Sequence, residues 1–208
     1  MSRILVLAPH TDDGEIGCGG TIAKNIERGD SVYYVAFSIA EESVPKDYPR
    51  DILKYEVKKA TKKLGVPENN LIIKNYKVRH FPENRQSILE DLVQLNKDIE
   101  PDLVFLPSSF DIHQDHKTIH QEGIRAFKNT SMLGYEFMWN HYSFGSTLFS
   151  VLDEDKIEKK INSLNEYKSQ KARFYTAEKL IKGLANFRGL QISEEYAEAF
   201  EVIRWIMR

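Results

Sequence analysis

Short uninterrupted apolar runs alternate with amphipathic helical patterns along most of this chain, and that alternation limits the folds it can adopt. The apolar runs have the length of buried strands and occupy residues 4–8, 32–37, 71–73 and 103–106. The helical patterns cover residues 20–28, 51–64, 87–99 and 118–127. The repetition of strand and helix predicts an α/β fold of the Rossmann-like three-layer type, with a mainly parallel sheet and helices on both faces.

The C-terminal part of the chain follows this alternation less closely. Two further strands are expected within residues 133–138 and 146–151, and from Asp153 onward the pattern predicts a mostly helical segment. The last helix is predicted to carry four apolar side chains on one face, those of Tyr196, Phe200, Ile203 and Met207. Since the 208 residues contain no internal repeat, a single domain over residues 1–208 is expected.

Charge and composition exclude several classes of protein. Lysine and arginine total 29 against 31 aspartate and glutamate, and this net charge of −2 gives no general attraction to nucleic acid. No apolar stretch approaches the roughly 18 residues of a membrane span, and the N-terminal run is too short for a secretory signal, so a cytoplasmic location is expected. The single cysteine excludes a disulfide scaffold and a cysteine-based zinc site. A metal in this chain must therefore be bound by His, Asp or Glu.

Polar side chains are concentrated in the loops after the first and fourth predicted strands. The members of these two clusters are His10, Asp12, Asp13, His113, Asp115 and His116. Ligands of parallel sheets bind outside the carboxyl ends of the strands. If both strands are central and parallel, both loops open at the same edge of the sheet and the two clusters meet.

Three such side chains can hold a divalent metal and leave one position for water, as in catalytic zinc sites. His10 and Asp13 are three residues apart, as are His113 and His116, so the two side chains of each pair reach the same side of the backbone. Asp12 cannot easily point the same way as Asp13 and is the natural general base for a bound water. The spacing leaves open whether His113 or His116 is a ligand, and iron(II) is not excluded as the metal.

Each loop also has a simpler interpretation. An Asp-Asp pair after a strand is often a turn or a helix cap, and Asp115 could cap the helix that follows it. The glycine-rich turn at residues 17–20 could bring backbone N–H groups to an anion, although it lacks the G-x-G-x-x-G spacing of dinucleotide-binding folds. It could equally serve close packing beside the metal loop. The occurrence of both clusters at one predicted sheet edge favours the metal interpretation.

The two clusters resemble the motifs of a known family, the zinc-dependent N-acetylglucosaminyl deacetylases of the PIG-L/LmbE type. The family's first motif, Ala-His-Pro-Asp-Asp, is similar to Ala8-Pro9-His10-Thr11-Asp12-Asp13, and its second, His-Pro-Asp-His, is similar to His113-Gln114-Asp115-His116. Weaker similarities extend to Tyr167-Lys168-Ser169-Gln170, so the likeness covers nearly the whole chain. Thr11 and Gln114 stand where proline is usual, and neither supplies a ligand or a proton.

This resemblance implies a role for each residue. The zinc ligands would be His10, Asp13 and His116, and Asp12 would be the general base. His113 would stabilise the oxyanion and protonate the leaving amine, and Asp115 would hold its ring oriented and charged. The implied reaction is removal of an N-acetyl group from an amino sugar or sugar conjugate. Members that share the Thr11 and Gln114 variants look associated with surface-polysaccharide synthesis, which favours a carbohydrate precursor as substrate.

Five residues outside the two motifs also have a functional and a structural interpretation. Trp139 and Asn140 follow a predicted strand and suit a sugar ring and an acetamide, but they also suit an aromatic core element with a turn. Arg85 could bind a phosphate or carboxylate of the substrate, or could simply be a solvated arginine before a helix. His120, four residues after His116, is more typical of a packed helix residue than of a fourth ligand. Cys18 is more typical of a small buried side chain than of a metal ligand.

The leading hypothesis is therefore a zinc hydrolase acting on a small N-acetylated sugar or conjugate. The nearest alternative is a deacylase or amidase for a non-sugar N-acyl compound. A nucleotide-binding α/β module that uses the glycine-rich turn is less favoured. A metal-storage protein is disfavoured because Asp12 and His113 would then have no role. The pattern does not decide whether the chain forms homo-oligomers.

Overall fold

The computed structural model of the chain, which describes residues 1–207 apart from the side chain of Tyr175, contains one seven-stranded sheet. Its strands are β1 (Arg3–His10), β2 (Ser31–Ser38), β3 (Leu71–Ile73), β4 (Leu103–Pro107), β5 (Ser131–Tyr135), β6 (Leu148–Leu152) and β7 (Tyr196–Arg204). The spatial order is β3-β2-β1-β4-β5-β7-β6; the first five are parallel, and β7 is antiparallel to both of its neighbours. The predicted α/β fold with a mainly parallel sheet is confirmed.

Helices cover both faces of the sheet because the central strands are apolar on both sides. The helices are α1 (Asp13–Glu27), α2 (Ile52–Leu64), α3 (Arg85–Ile99), α4 (Gln114–Ala126), α5 (Glu154–Leu164) and α6 (Glu178–Leu190). In β1, Ile4 and Val6 belong to the core shared with α1, α2, α5 and α6, whereas Leu5 and Leu7 belong to the core shared with α3 and α4. Full burial of one such side chain contributes about 1.5–3 kcal/mol. None of the helices within residues 1–207 is both long and apolar enough to cross a membrane.

The C-terminus differs from the sequence prediction. The predicted helix carrying Tyr196, Phe200, Ile203 and Met207 is wrong, because Tyr196–Arg204 forms strand β7. This strand lies between β5 and β6, and its first five residues are all buried. A strand covered on both faces shows no alternation of apolar and polar residues, so its period is hidden in the sequence. The helical prediction for the segment after Asp153 agrees with α5 and α6 but not with β7.

Helix α1 is interrupted directly after the segment that carries Asp13. Cys18 has φ −148° and ψ 24°, which lie outside the helical range. The backbone N–H groups of Gly20 and Thr21 donate to the carboxylate of Glu198 at 3.0 and 2.7 Å, and Lys160 Nζ donates to the same carboxylate at 2.7 Å. This buried ion pair therefore joins the second half of α1 to β7 and α5, and it fixes the direction in which the first half points.

The Glu198→Ala variant is expected to lose about 3–5 kcal/mol of unfolding free energy, because it leaves the buried Lys160 ammonium without its partner. Urea unfolding monitored by circular dichroism measures the change. Glu158→Ala is the matched control, since Glu158 is exposed on the same helix as Lys160. The double variant Lys160→Met with Glu198→Gln should recover part of the loss, because it buries no unpaired charge. A Glu198→Ala protein as stable as the control would contradict the anchoring role of the pair.

Candidate active site

The two His/Asp loops predicted from the sequence lie together at one edge of the sheet. β1 and β4 are adjacent and parallel, so their carboxyl ends open at the same edge. β1 ends at His10, and Asp13 begins α1 directly afterwards. The loop after β4 leads to His113, which is the N-cap of α4, and His116 lies in the first turn of that helix. The topology thus brings together side chains that are about a hundred residues apart in sequence.

Three of these side chains direct one atom each toward a common point. Asp13 Oδ2 lies 3.1 Å from His10 Nδ1 and 3.2 Å from His116 Nε2, and the two ring nitrogens are 3.4 Å apart. Ligand atoms bonded at 2.0–2.1 Å in a tetrahedral site are separated by about 3.3 Å. The residues present therefore fit a tetrahedral zinc ion with its fourth position open.

A second grouping of potential ligands shares two members with the first. His10, His113 and His116 each have one ring nitrogen within 4.8 Å of the other two. However, His113 Nδ1 accepts the backbone N–H of Asp115 at 3.2 Å, so only its Nε2 is available. The set with Asp13 combines the spacing of a tetrahedral ion with a negative charge, which offsets part of the charge of a divalent metal. We therefore favour Asp13 over His113 as the third ligand.

Each candidate histidine ligand is oriented by a carboxylate on its other ring nitrogen. His10 Nε2 lies 2.9 Å from Asp115 Oδ2, and His116 Nδ1 lies 2.7 Å from Asp111 Oδ2. An ionised carboxylate only accepts hydrogen bonds, so in the neutral rings these nitrogens carry the protons, and His10 Nδ1 and His116 Nε2 then have the lone pairs that a metal needs. Such carboxylate–histidine pairs are the usual support of metal-binding imidazoles.

The position of Asp115 corrects the partner predicted for it. The expectation was that its carboxylate would hold His113, but the structure places the carboxylate against His10. Asp115 Oδ2 also accepts the backbone N–H of Arg79 at 2.7 Å, and Oδ1 accepts that of Phe81 at 3.4 Å. The segment before α3 therefore covers the start of α4 and helps to hold the carboxylate beside His10.

The charges around the rings favour a cation. Burial alone would lower the pKa of His10, but Asp13 and Asp115 raise it to about 9. Burial also opposes protonation of His116, yet Asp13 and Asp111 raise its pKa to about 10. Burial acts to raise the pKa of Asp13, but the His116 and His10 rings hold it well below its usual value. The negative charges that raise the pKa values of these two histidines also favour a divalent metal in place of the protons.

Asp12 and His113 line the same cleft as the three candidate ligands. Asp12 precedes α1 and makes no side-chain cap hydrogen bond. Burial and the adjacent Asp13 carboxylate raise the pKa of Asp12 to about 6. Burial and the charges of His116 and His10 lower the pKa of His113 to about 4. Because His113 Nδ1 accepts an N–H, the proton of the neutral ring lies on Nε2. The lowered pKa favours this neutral donor over the charged ring expected from the sequence.

A buried polar network of two tyrosines and one glutamate holds the loop between His10 and Asp13 in place. The hydroxyls of Tyr34 and Tyr167 lie 2.9 and 2.6 Å from the Thr11 carbonyl oxygen, and both also contact the Glu15 carboxyl. Burial raises the pKa of Glu15 to about 8, which favours a neutral carboxyl that can itself donate a hydrogen bond. Tyr167, from the C-terminal part of the chain, thus directly supports the loop that carries the candidate ligands.

The cleft has a volume of about 440 Å³ and contains two of the three predicted substrate-binding residues. Trp139 and Asn140 line it, in the segment that follows β5. Its wall also includes Gln170, which belongs to the C-terminal similarity found in the sequence, and two arginines that the sequence analysis did not single out, Arg79 and Arg173. Both arginines lie in loops outside the two motifs, and no local pattern marks them.

Arg85 is not a substrate-binding residue in this structure. It is the first residue of α3 and does not border the cleft. Its Nε and Nη2 lie 2.7 and 2.6 Å from Glu122 Oε1, a carboxylate that is fully buried. Arg85 therefore neutralises Glu122, because a buried carboxylate without a partner would be strongly destabilising.

Cys18 and His120 have structural contacts and do not border the cleft. Cys18 is buried with its thiol 3.3 Å from the Gly14 carbonyl oxygen, and His120 Nδ1 lies 2.8 Å from the Pro107 carbonyl oxygen. The glycine-rich turn is part of α1, where a Cβ on Gly17 would lie 2.5 Å from the Tyr135 ring. The N–H groups at the end of this turn already donate to Glu198. The turn is a close-packing element, and the nucleotide-binding alternative loses its support.

Comparison with known proteins agrees with this geometry. A sequence model of the PIG-L family, described as GlcNAc-PI de-N-acetylase, matches residues 5–127, which is more than half of the chain. The chain belongs to the PIG-L family. The matched region contains both His/Asp loops, so the family assignment and the geometry concern the same residues.

Relatives and structural neighbours extend the likeness beyond the region that matches the PIG-L family model. The uncharacterized deacetylase YaiS of Escherichia coli strain K12 is 27% identical over 170 residues, covering 80% of this chain and 90% of the relative. An N,N'-diacetylchitobiose deacetylase from Pyrococcus horikoshii is 23% identical, with a TM-score of 0.79 over 97% of this chain and 84% of that one.

The same fold also supports a different reaction. GalB, the 4-carboxy-2-hydroxymuconate hydratase of Pseudomonas putida KT2440, is 16% identical with a TM-score of 0.78, covering 100% of this chain and 98% of that one. Fold alone therefore does not choose the reaction, and the function of this PIG-L family member must be argued from the groups in its cleft.

Proposed function

We propose that this protein is a zinc-dependent hydrolase that removes an N-acetyl group from an amino sugar or sugar conjugate. The observation that carries the proposal is the convergence of His10 Nδ1, Asp13 Oδ2 and His116 Nε2, spaced as ligands of one tetrahedral ion. These atoms lie in a cleft that also presents Asp12 and His113. A carboxylate base and a hydrogen-bond donor beside a metal site are the groups that amide hydrolysis requires.

Bound zinc would supply a Lewis acid that polarises the amide carbonyl and lowers the pKa of water. Asp12 accepts the proton of the attacking water. His113 Nε2–H donates a hydrogen bond to the carbonyl oxygen as that oxygen gains negative charge. Asp12 then transfers the proton to the nitrogen of the leaving amine, and the C–N bond breaks to give acetate and a free amine. This assigns the amine proton to Asp12, because the neutral His113 ring has no second proton to give.

The residues around this centre favour a sugar as the substrate. Trp139 offers an aromatic face to a sugar ring, and Asn140 can hydrogen-bond a hydroxyl or an acetamide. The relative from Escherichia coli is named a deacetylase, and the Pyrococcus horikoshii protein is named for its action on N,N'-diacetylchitobiose. The first name supports a deacetylation reaction for this chain, and the second supports an acetylated sugar as the substrate.

The first experiment is elemental analysis of protein purified without chelator and reconstituted with zinc. We expect one zinc ion per chain in the wild type and none in His10→Ala. The zinc-loaded protein is then assayed for acetate release from N-acetylated sugars and from non-sugar N-acyl compounds. Release from the second group alone would replace the sugar substrate with the deacylase alternative. A wild type that binds no zinc, or zinc binding indifferent to His10, would overturn the proposal.

The His113→Ala variant is expected to keep its zinc and to lose about 10²- to 10³-fold in kcat, as when one oxyanion donor is removed. Zinc content and acetate release are measured on the same preparation. Ile112→Ala is a suitable control, because Ile112 is the exposed neighbour of His113 in the loop. Loss of zinc from His113→Ala would instead support the ligand set formed by the three histidines.

A further inference from the structure

Two arginines from distant segments converge on one side of the cleft. Arg79 precedes α3 and Arg173 lies between α5 and α6, yet both line the same cleft as the candidate metal ligands. Arg79 Nη2 lies 3.3 Å from Ser43 Oγ, and Arg173 Nη2 lies 3.4 Å from the Ser43 carbonyl oxygen. Both guanidinium groups therefore lie beside Ser43, facing the cavity that holds the reacting groups.

The backbone of Arg79 adopts a conformation that residues with a Cβ seldom adopt. Its φ is +69°, in the left-handed region. Two contacts hold it there: its N–H donates to Asp115 Oδ2 at 2.7 Å, and its carbonyl accepts from Gln114 Nε2 at 2.5 Å. Asp115 is the same carboxylate that orients His10. Arg79 is thus fixed to the support of the candidate metal site, and unusual backbone conformations of this kind concentrate at functional sites.

The charges nearby leave Arg79 available to an anion. Among residues 1–207, no carboxylate lies within ion-pair distance of the Arg79 guanidinium, and its side-chain partner is the neutral Ser43 hydroxyl. The cleft has three carboxylates. Glu42 pairs with Lys77 at 2.9 Å and also interacts electrostatically with Arg79, although it lies beyond ion-pair distance of the guanidinium. Asp13 lies between the two candidate histidine ligands. Asp12 is the third, and it interacts electrostatically with Arg173.

We infer that Arg79, assisted by Arg173, forms an anion subsite in the cleft and selects N-acetylated sugars that carry a carboxylate or a phosphate. The planar guanidinium group matches the geometry of both anions and binds them through paired hydrogen bonds. This is the role that the sequence suggested for Arg85, which the structure instead assigns to Glu122. The inference rests on the proposed function for the reaction, but the subsite makes a prediction about binding that does not require turnover.

Binding is measured by calorimetry on the zinc-loaded Asp12→Asn protein, which is expected not to turn over substrate at an appreciable rate. The ligands are N-acetylglucosamine, its 6-phosphate and N-acetylmuramic acid. We expect at least one anionic ligand to bind at least tenfold more tightly than the neutral sugar. Adding Arg79→Gln should reduce that advantage by about 10- to 100-fold, the effect of losing a charge-assisted pair of hydrogen bonds. The ligand with the larger Arg79-dependent advantage identifies phosphate or carboxylate as the anion.

Three further variants make the test specific. Arg79→Lys keeps a charge but not the planar fork and should retain part of the advantage. Arg173→Gln should reduce the advantage by a smaller factor than Arg79→Gln. Arg28→Gln removes an exposed arginine at the end of α1, far along the helix from the cleft, and should leave all affinities unchanged.

The outcomes separate the subsite from the reaction. Equal affinity for neutral and anionic ligands, or an advantage that survives both Arg79→Gln and Arg173→Gln, would overturn the anion subsite. An advantage that depends on Arg79, together with no acetate release by the zinc-loaded wild type from any of the three sugars, would support the subsite and overturn the proposed function. Acetate release with a higher kcat/KM for the anionic sugar, reduced by Arg79→Gln mainly through KM, would support both.

Discussion

The Asp12→Asn variant is expected to retain one zinc ion per chain while its kcat falls by about 10²- to 10⁴-fold, the usual contribution of a general base. The amide has nearly the shape of the carboxylate but cannot accept the proton of water. Asp12 is next to the candidate ligand Asp13 and lines the cleft without a cap hydrogen bond, so its replacement leaves the three ligand atoms in place. Zinc content by elemental analysis and acetate release by a coupled assay measure the two effects.

The neighbouring variant Asp13→Asn is the matched control for this experiment. It makes the same chemical change one residue along the chain and is expected to lose zinc as well as activity, since Asp13 Oδ2 lies between His10 and His116. If Asp12→Asn loses zinc while Asp13→Asn keeps it, the roles of the two carboxylates must be exchanged. If Asp12→Asn is as active as the wild type, Asp12 is not the base.

Removal of zinc is expected to lower the midpoint of thermal unfolding by about 8–16 °C. A ligand that binds only the folded state stabilises it by about 4 kcal/mol at a thousand times its Kd. In a chain of this size each kcal/mol shifts the midpoint by about 2–4 °C. The shift arises because the unfolded chain does not hold the ligand atoms of His10, Asp13 and His116 together. Differential scanning calorimetry with chelator, and again after zinc is restored, measures it.

The zinc-dependent shift in the unfolding midpoint supports this site only if it requires the candidate ligands. His116→Ala should unfold at the same temperature with and without zinc. His80→Ala serves as the control, because His80 is on the surface segment before α3 and contacts Glu83 rather than the cluster. It should show the full zinc-dependent shift. A wild type whose midpoint does not respond to zinc would contradict a specific site at this position.

Much of the fold follows from local sequence pattern, and the exception has a physical cause. The runs that became β1, β2, β3 and β4 are short and apolar, and each is followed by a helix with one apolar face. Their order is enough to place the loops after β1 and β4 at one edge. The helix prediction for β7 fails because the first five residues of the strand are buried on both faces of the sheet, so its apolar residues show no period of two.

The candidate site was only partly predictable from its motifs. The spacing of His10 and Asp13 and of His113 and His116 concerns residues within one turn of the chain, where short-range geometry decides which side chains meet. The partner of Asp115 depends on how the segment at Arg79 folds over α4, and no pattern near Asp115 records that contact.

The sequence analysis does not identify Asp111 as the carboxylate that orients His116, although its position in the loop gives an indication. Asp111 lies five residues before His116 in the same loop, and its Oδ2 is 2.7 Å from the ring. A histidine ligand needs an acceptor on its second nitrogen, so the nearest acidic residue in the loop was a reasonable candidate. The same reasoning could not have found Arg79 or Arg173, whose role depends on three segments that meet only in the folded chain.

The lining of the cleft comes from two stretches of the chain. Every group proposed to act on the amide lies before residue 117, inside the stretch that matches the family, whereas Trp139, Asn140, Gln170 and Arg173 come from the stretch beyond it. Reactivity is therefore encoded in the earlier part of the gene, whereas substrate choice draws on both parts, since Arg79 lies in the earlier stretch. A library randomised only in the later part keeps the reacting groups and Arg79 intact while it changes the rest of the substrate-facing lining. Directed evolution toward a new acylated sugar should begin there.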